Sequence, residues 1–243
     1  MPRLAFLLLT AGGLCAAAPA LAGAVFVPPA GCTLGMTVQM HSCQVANYYT
    51  CAGDPPGDQW ISFADGEGEY FLSHIDAETR WVESVSLYSG EVDALDAAAT
   101  ADSASFSTLL STGRDDYDFV TRSNMGTAQR YIGNDTLTGQ TITIDGVPLE
   151  QCRFEMQIVD AQGNRTATRK GTQLISRKMR LFFSGTESFE NAYGERSTSI
   201  DTPVSFAFPG EAGFAATRPE YDCDMMLTDL SPLVDHPSKE AVK

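Results

Sequence analysis

Hydrophobic and polar positions alternate along most of this chain with a period of two, the pattern of half-buried strands. Trp60-Ile61-Ser62-Phe63 follows a turn at Asp54-Pro55-Pro56-Gly57-Asp58, and Asp65-Gly66-Glu67-Gly68 closes it. Tyr70 to Ile75, a turn at Asp76-Ala77-Glu78-Thr79, and Trp81 to Tyr88 read as a hairpin. A helix starting from Asp76 is the alternative, since Asp is a fair N-cap. Val82, Ser84, Val85, Ser86 and Tyr88 argue for the strand, being weak helix formers that fit a pleated surface. Residues 91–113 are the main helical candidate, a crossover over about 93–113: Asp93 to Ala99 is Ala-rich, Asp102 or Ser103 can cap a turn leading to Leu109-Leu110, and Gly113 supplies the stop.

After the crossover the pattern predicts strands over Tyr117–Arg122, Thr127–Ile132, Gln140–Ile144, Leu149–Val159, Arg165–Ile175, Lys178–Phe183 and Ser197–Phe208. Asp145-Gly146 and Gln162-Gly163-Asn164 between them tolerate positive φ. Strands in succession with tight turns make an antiparallel meander. The expected fold is therefore mainly β: a curled sheet, half-barrel or sandwich with one short helical crossover. Phe182 and Phe183 are adjacent on one strand and must face opposite sides, so both faces of the sheet need apolar cover. A single domain is expected over 23–230, ending in an irregular return at 210–230. Ser231 to Lys243, with Pro232 and Pro237, reads as a disordered tail.

Residues 1–22 change the picture by adding a compartment. Arg3, the apolar run Leu4 to Leu14 and Ala20-Leu21-Ala22 have the form of a secretory signal cleaved after Ala22, placing the product in a periplasmic or secreted space. Leu14 precedes Cys15 where lipidation needs a small residue. Cleavage removes Cys15 and leaves Cys32, Cys43, Cys51, Cys152 and Cys223. Export makes disulfides the default. Cys152, in the alternating run Cys152-Arg153-Phe154-Glu155-Met156, falls on the apolar face and is the candidate free thiol. The other four allow three pairings. If Cys43 to Cys51 is one extended strand, its ends lie roughly 26 Å apart, beyond disulfide reach. Each then pairs with Cys32 or Cys223.

Charge excludes further classes. The 243 residues carry 16 Lys and Arg against 31 Asp and Glu, a net charge of −15 and a pI near 4.4. Such a chain is a poor holder of nucleic acid or anionic lipid, which bind through Lys and Arg. At 43% hydrophobic and 19% charged it is nonetheless apolar enough to fold. The acid excess is uneven. Between Asp160 and Glu187 there is no acidic residue, and Arg165, Arg169, Lys170, Arg177, Lys178 and Arg180 all lie there. They could dock an anionic envelope component, or neutralise acidic strands beside them.

No catalytic motif emerges. There is no nucleophile elbow, zinc-binding His-Glu-x-x-His, phosphate loop or dinucleotide fingerprint. His41, His74 and His236 are scattered. Asp115-Asp116-Tyr117-Asp118 and Asp65-Gly66-Glu67-Gly68-Glu69 hold oxygen ligands suited to Ca²⁺, but without EF-hand spacing they read as solvated turns. Met36, Met40, His41, Cys43, Met225 and Met226 are soft ligand types suited to copper, and methionine on a strand equally fills core.

The stretch from Thr136 to Thr186, with Ser107 to Phe119 and Pro209 to Phe214, resembles uncharacterised exported proteins of marine α-proteobacteria. That resemblance implies no activity and no site residues. At the level of architecture, a meander with a crossover helix is similar to the half-barrel of periplasmic lipoprotein carriers. The expectation is a non-catalytic periplasmic binding or structural protein without a cofactor. A carrier of a lipid or other apolar ligand inside the curled sheet is the second expectation, and a carboxylate-dependent hydrolase the third.

Overall fold

A computed structural model describes residues 24–224. The signal segment 1–22, Met225, Met226, His236 and the tail 231–243 lie outside the described residues. Thirteen strands form one antiparallel sheet that is not closed. The first six are β1 (Cys32–Met40), β2 (Gln44–Cys51), β3 (Gln59–Ala64), β4 (Glu69–Ile75), β5 (Trp81–Ser86) and β6 (Val92–Leu95). The helix α1 (Phe106–Thr112) separates them from β7 (Arg114–Ser123), β8 (Ala128–Ile144), β9 (Val147–Asp160), β10 (Arg165–Ser176), β11 (Leu181–Asn191), β12 (Arg196–Ile200) and β13 (Pro203–Ala207). Each strand pairs with its sequence neighbour from β1 to β12, and β13 pairs with β1 at the far edge.

The sheet rolls until its two edges nearly meet. Only Asp201 and Thr202 separate β12, on one edge, from β13, on the other. The Asp201 amide donates to Gly185 O at 2.9 Å, and the His41 amide donates to Thr202 O at 3.0 Å. This corner therefore links β11 to the end of β1. Sharp bending is built into the long strands. Register slips between Leu137 and Thr141 on β8 and between Thr172 and Leu174 on β10. Such bulges bend a strand and increase its twist. Close by, a Cβ on Gly171 would lie 1.9 Å from Thr186 O, and one on Gly185 would lie 2.1 Å from Thr172 O. Only glycine permits that approach of backbones.

Beyond the bend, Val147, Leu149, Leu174, Leu181 and Phe183 pack against Met36, Val38, Ala46, Tyr48, Ile61 and Phe206. This is the main core. The Asp145-Gly146 turn has both residues at positive φ and docks on β13, Asp145 Oδ2 accepting from the Phe206 amide at 2.9 Å. The disulfide Cys32–Cys51 staples β1 to β2, and Cys43–Cys223 ties the C-terminal return to the N-terminal strands. Cys152 is free and buried.

Several local expectations are corrected. The helical crossover expected over 93–113 is a strand followed by a shorter helix. Val92–Leu95 joins β5 and β7 as β6, and Ala98 and Ala99 belong to a turn whose amides donate to Asp96 Oδ1. Three alanines are too few to nucleate a helix against two waiting strand partners. The helix cap is Ser105, not Asp102 or Ser103: its side chain accepts from the Thr108 amide, and Asp102 instead bridges to Asp118. Gly113 ends the helix at φ 84°. Thr127–Ile132 and Gln140–Ile144 are two ends of the single strand β8. The strand expected over Lys178–Phe183 begins at Leu181, because residues 177–180 form a turn with Arg180 at φ 52°.

Candidate functional site

The open half of the roll holds the site. Alternation along β7 points Asp115, Tyr117 and Phe119 inward, and α1 with its leading segment covers them. Between them lies a cavity of about 200 Å³. One wall is Ile61, Phe63 and Ile75; the opposite wall is Phe154, Met156 and Phe182; Phe106 and Leu109 of α1 form the roof. Trp81 stands at its edge, 40% exposed and edge-on to Phe119 and Tyr131 at centroid distances of 5.6 and 5.5 Å.

Helix α1 is short and holds its place through polar contacts at its N-terminal end. The Glu78 carboxylate accepts from the Ser107 amide at 2.8 Å, Ser107 Oγ at 2.6 Å, Ser105 Oγ at 3.1 Å and Arg180 Nη2 at 3.0 Å. Desolvation of Glu78 opposes its charge, but the donors of Ser107 and Ser105 with the Arg180 guanidinium outweigh it and hold the carboxyl below its ordinary range. Phe106 packs edge-on to Phe182 at 5.3 Å, while Arg180 lies over its ring at 5.1 Å.

Two carboxylates line the cavity. Asp115 and Asp135 are direct cross-strand partners on β7 and β8, which places their side chains side by side on one face. Asp115 is 6% exposed, and its Oδ2 accepts from the Ser105 amide at 2.8 Å. Among the described residues no donor reaches the Asp135 side chain within hydrogen-bond distance. Burial, reinforced by Asp115, pushes the Asp135 carboxyl up to about 7. Burial also raises Asp115, the Ser105 amide opposing it and the charges of Asp102, Asp116 and Glu78 adding to it. Cys152 sits on the next strand, and burial followed by the Asp135 charge pushes its thiol up to about 12. A thiol so protonated at neutral pH is a poor nucleophile.

The basic run of β10 and β11 does not present one outward face. Arg169 points into the cavity, where its Nε and Nη2 hold Glu187 through two bonds of 2.7 Å. Arg177 pairs with Glu150 and Arg165 lies 4.0 Å from Glu190. Arg180 is bound to Glu78 and Ala77 O. Lys170 and Lys178 have no ion-pair partner among the described residues. Lys178 is exposed and Arg180 half-buried, and both lie in the turn before β11 rather than on a strand.

The remaining candidates are elsewhere. His41 hydrogen-bonds Asp222 at 2.5 Å, and His74 hydrogen-bonds Asp58 at 3.0 Å while stacking on Trp60; neither reaches the cavity. Asp116 and Asp118 face outward onto Arg114 and Arg130, so the acidic run that suggested Ca²⁺ is split across a strand. Asp65 closes its own turn by accepting from the Glu67 and Gly68 amides. Met36 and Met40 are core residues, and no group of three His, Cys, Asp or Glu among the described residues could hold a metal. No helix among them is long and apolar enough to cross a membrane.

Nothing in the sequence singles out Asp135, and Asp115 reads there as part of an acidic turn. The available signal was the alternation Asp115-Tyr117-Phe119, which puts an acid on an aromatic face. No family model, curated protein or solved structure matches the chain.

Proposed function

We propose that this is an exported, non-catalytic carrier of a small amphiphilic ligand, held between the concave face of the sheet and α1. The observation that carries this reading is the cavity itself: apolar walls, a few convergent polar groups and a cover made by one short helix. An apolar cavity of about 150 Å³ accommodates a ring the size of benzene. A cavity of about 200 Å³ therefore suits a ring or a short acyl segment, and a longer ligand requires α1 to move. The two disulfides are compatible with the oxidising compartment that the leader implies.

Native mass spectrometry of protein taken from its own envelope without detergent tests the reading. A bound small molecule is expected, and Leu109→Trp, which fills the cavity from the roof, should lose it while keeping the circular dichroism of the parent. An empty parent that also ignores hexan-1-ol in calorimetry overturns the carrier.

A carboxylate-dependent hydrolase is the second reading, favoured by Asp115 facing Asp135. Hydrolytic pairs separate their roles by holding one carboxyl protonated and the other ionised. Burial raises both and carries Asp135 up to about 7; it is the apolar lining around the pair that favours binding over acid–base chemistry. Hydrolysis of nitrophenyl esters or glycosides that disappears in Asp135→Asn would reverse that preference.

A further inference from the structure

Resting on the carrier reading, the charge balance inside the cavity specifies the ligand's polar end. Both cations that line the cavity are already committed. Arg169 is bidentate on Glu187, and Arg80 Nε meets Asp76 Oδ2 at 2.5 Å. The two aspartates are not balanced in the same way. Asp115 receives one neutral amide, and no donor among the described residues reaches Asp135. Neither carboxylate pairs with a cation among the described residues, and a charge on a largely apolar wall gains from a charge-assisted partner, so the pair suits a positive group. Aromatic faces stand next to it. Tyr117 and Phe119 follow Asp115 on the same face of β7, their centroids 5.7 Å apart, and Tyr131 stacks on Phe119 at 4.9 Å. Carboxylates beside aromatic faces are the usual surroundings of a bound organic cation.

We infer that the ligand is a cationic amphiphile, an ammonium group on a compact apolar body, with the ammonium between Asp115 and Asp135 and the apolar part under Phe106 and Leu109. A fatty acid or other anionic amphiphile is then disfavoured above about pH 7, where its carboxylate would meet an ionised Asp135. A neutral alcohol enters the same space without the charge-assisted bonds.

The site also titrates. The ionisable groups around the pair are Asp116 and Tyr117 from β7, Cys152 from β9, Arg169 from β10 and Glu187 from β11, with Glu78 and Arg80 from the β4–β5 turn and Asp102 from the segment before α1. Histidine is absent from this set. Burial raises the Tyr117 hydroxyl and the Cys152 thiol, so both stay neutral up to pH 8. Asp135 is therefore the group that changes charge between pH 5 and pH 8, and an ammonium ligand binds more tightly as pH rises through about 7, where Asp135 ionises.

Isothermal titration with hexylamine, hexan-1-ol and hexanoate, at pH 8 and pH 5, tests this. Hexylamine keeps its charge throughout. At pH 8 it should bind about tenfold tighter than hexan-1-ol, with hexanoate weakest, as expected for one charge-assisted contact. Its advantage over the alcohol should shrink several-fold at pH 5, where Asp135 is protonated. Asp135→Asn should bring amine and alcohol together at both pH values, and Asp115→Asn should narrow the gap if the first variant folds poorly. Equal affinity of amine and alcohol for the parent at pH 8, or preference for hexanoate, overturns the inference while leaving the carrier intact. Binding of none of the three overturns both.

Discussion

Two regions of one sheet, built from the same alternating strands, have been put to different uses. At the seamed end, β1 and β2 are buried along most of their length, and both of their faces are covered. At the open end, β4, β5 and β6 are half-buried almost throughout. The seamed end is closed by side chains of β9 to β11 folded over beyond the bend, and it is locked by two disulfides. The open end is closed only by α1, a helix of seven residues held by a carboxylate and an arginine. Dense packing of large side chains supplies stability at one end. At the other, a lightly latched cover over aromatic rings and two aspartates encloses the cavity proposed to take a ligand.

Breaking the lock of the seamed end should have the largest effect. The Cys43–Cys223 bridge spans 180 residues, and loop closure on that scale contributes about 5 kcal/mol in the chain-entropy model. Cys43→Ser with Cys223→Ser should lower the urea midpoint far more than Cys32→Ser with Cys51→Ser, whose loop is 19 residues. Equal losses would mean that the bridge across the return contributes no more than a local staple.

Core truncation gives the next contrast. Phe183, 2% exposed between Tyr48 and Phe206, should cost roughly 3–5 kcal/mol as Phe183→Ala. Trp81, a larger residue at the open rim, should cost less than half of that as Trp81→Ala, by the same denaturation. If the two match, the open end is packed as tightly as the core.

The latch of α1 should respond more gently. Glu78→Ala removes the acceptor shared by Ser105, Ser107 and Arg180, and a loss of about 1–2 kcal/mol is expected, comparable to loss of a helix cap. Hydrogen exchange should localise the change to α1, and exchange spread evenly over β1 and β2 would contradict the division into two ends.

The smallest effect is a pH-dependent gain. Asp135 has a folded-state carboxyl held near 7, above its unfolded value. Its contribution to stability is therefore fully present below the unfolded value and is lost as pH rises through about 7. Asp135→Asn should leave the melting temperature near the parent's at pH 4 and raise it by about 4 °C at pH 8, for a gain of roughly 1–2 kcal/mol after screening. A fall at pH 8 would mean that the Asp135 charge has a partner.

The strand pattern was legible over most of the chain because alternation is local: Cys152 to Ile158, Tyr70 to Ile75 and the Gly113 stop needed only their neighbours in sequence. Ala97 to Ala99 misled because local helix preference lost to the two strands that flank β6. The division of Thr127–Ile132 from Gln140–Ile144 misled because a bulge within one long strand looks, residue by residue, like a turn. In the candidate site, the free thiol at Cys152 and the demand for cover over Phe182 and Phe183 could be read directly. The meeting of Asp115 with Asp135 could not, since it depends on the register of β7 against β8.

By itself, then, the sequence determined the mainly β class, the meander, the helix stop and the rule that Cys43 and Cys51 cannot pair with each other. Those follow from backbone geometry and periodicity, which act over a few residues. The tertiary structure decided which way the sheet rolls, that its edges meet across Asp201 and Thr202, and that Arg169 turns inward to Glu187 while Arg180 latches the helix. It also decided that two aspartates share a cavity. Those outcomes depend on glycine contacts, bulges and cross-strand register between segments far apart in the chain, and desolvation acts only once such segments have closed around a group.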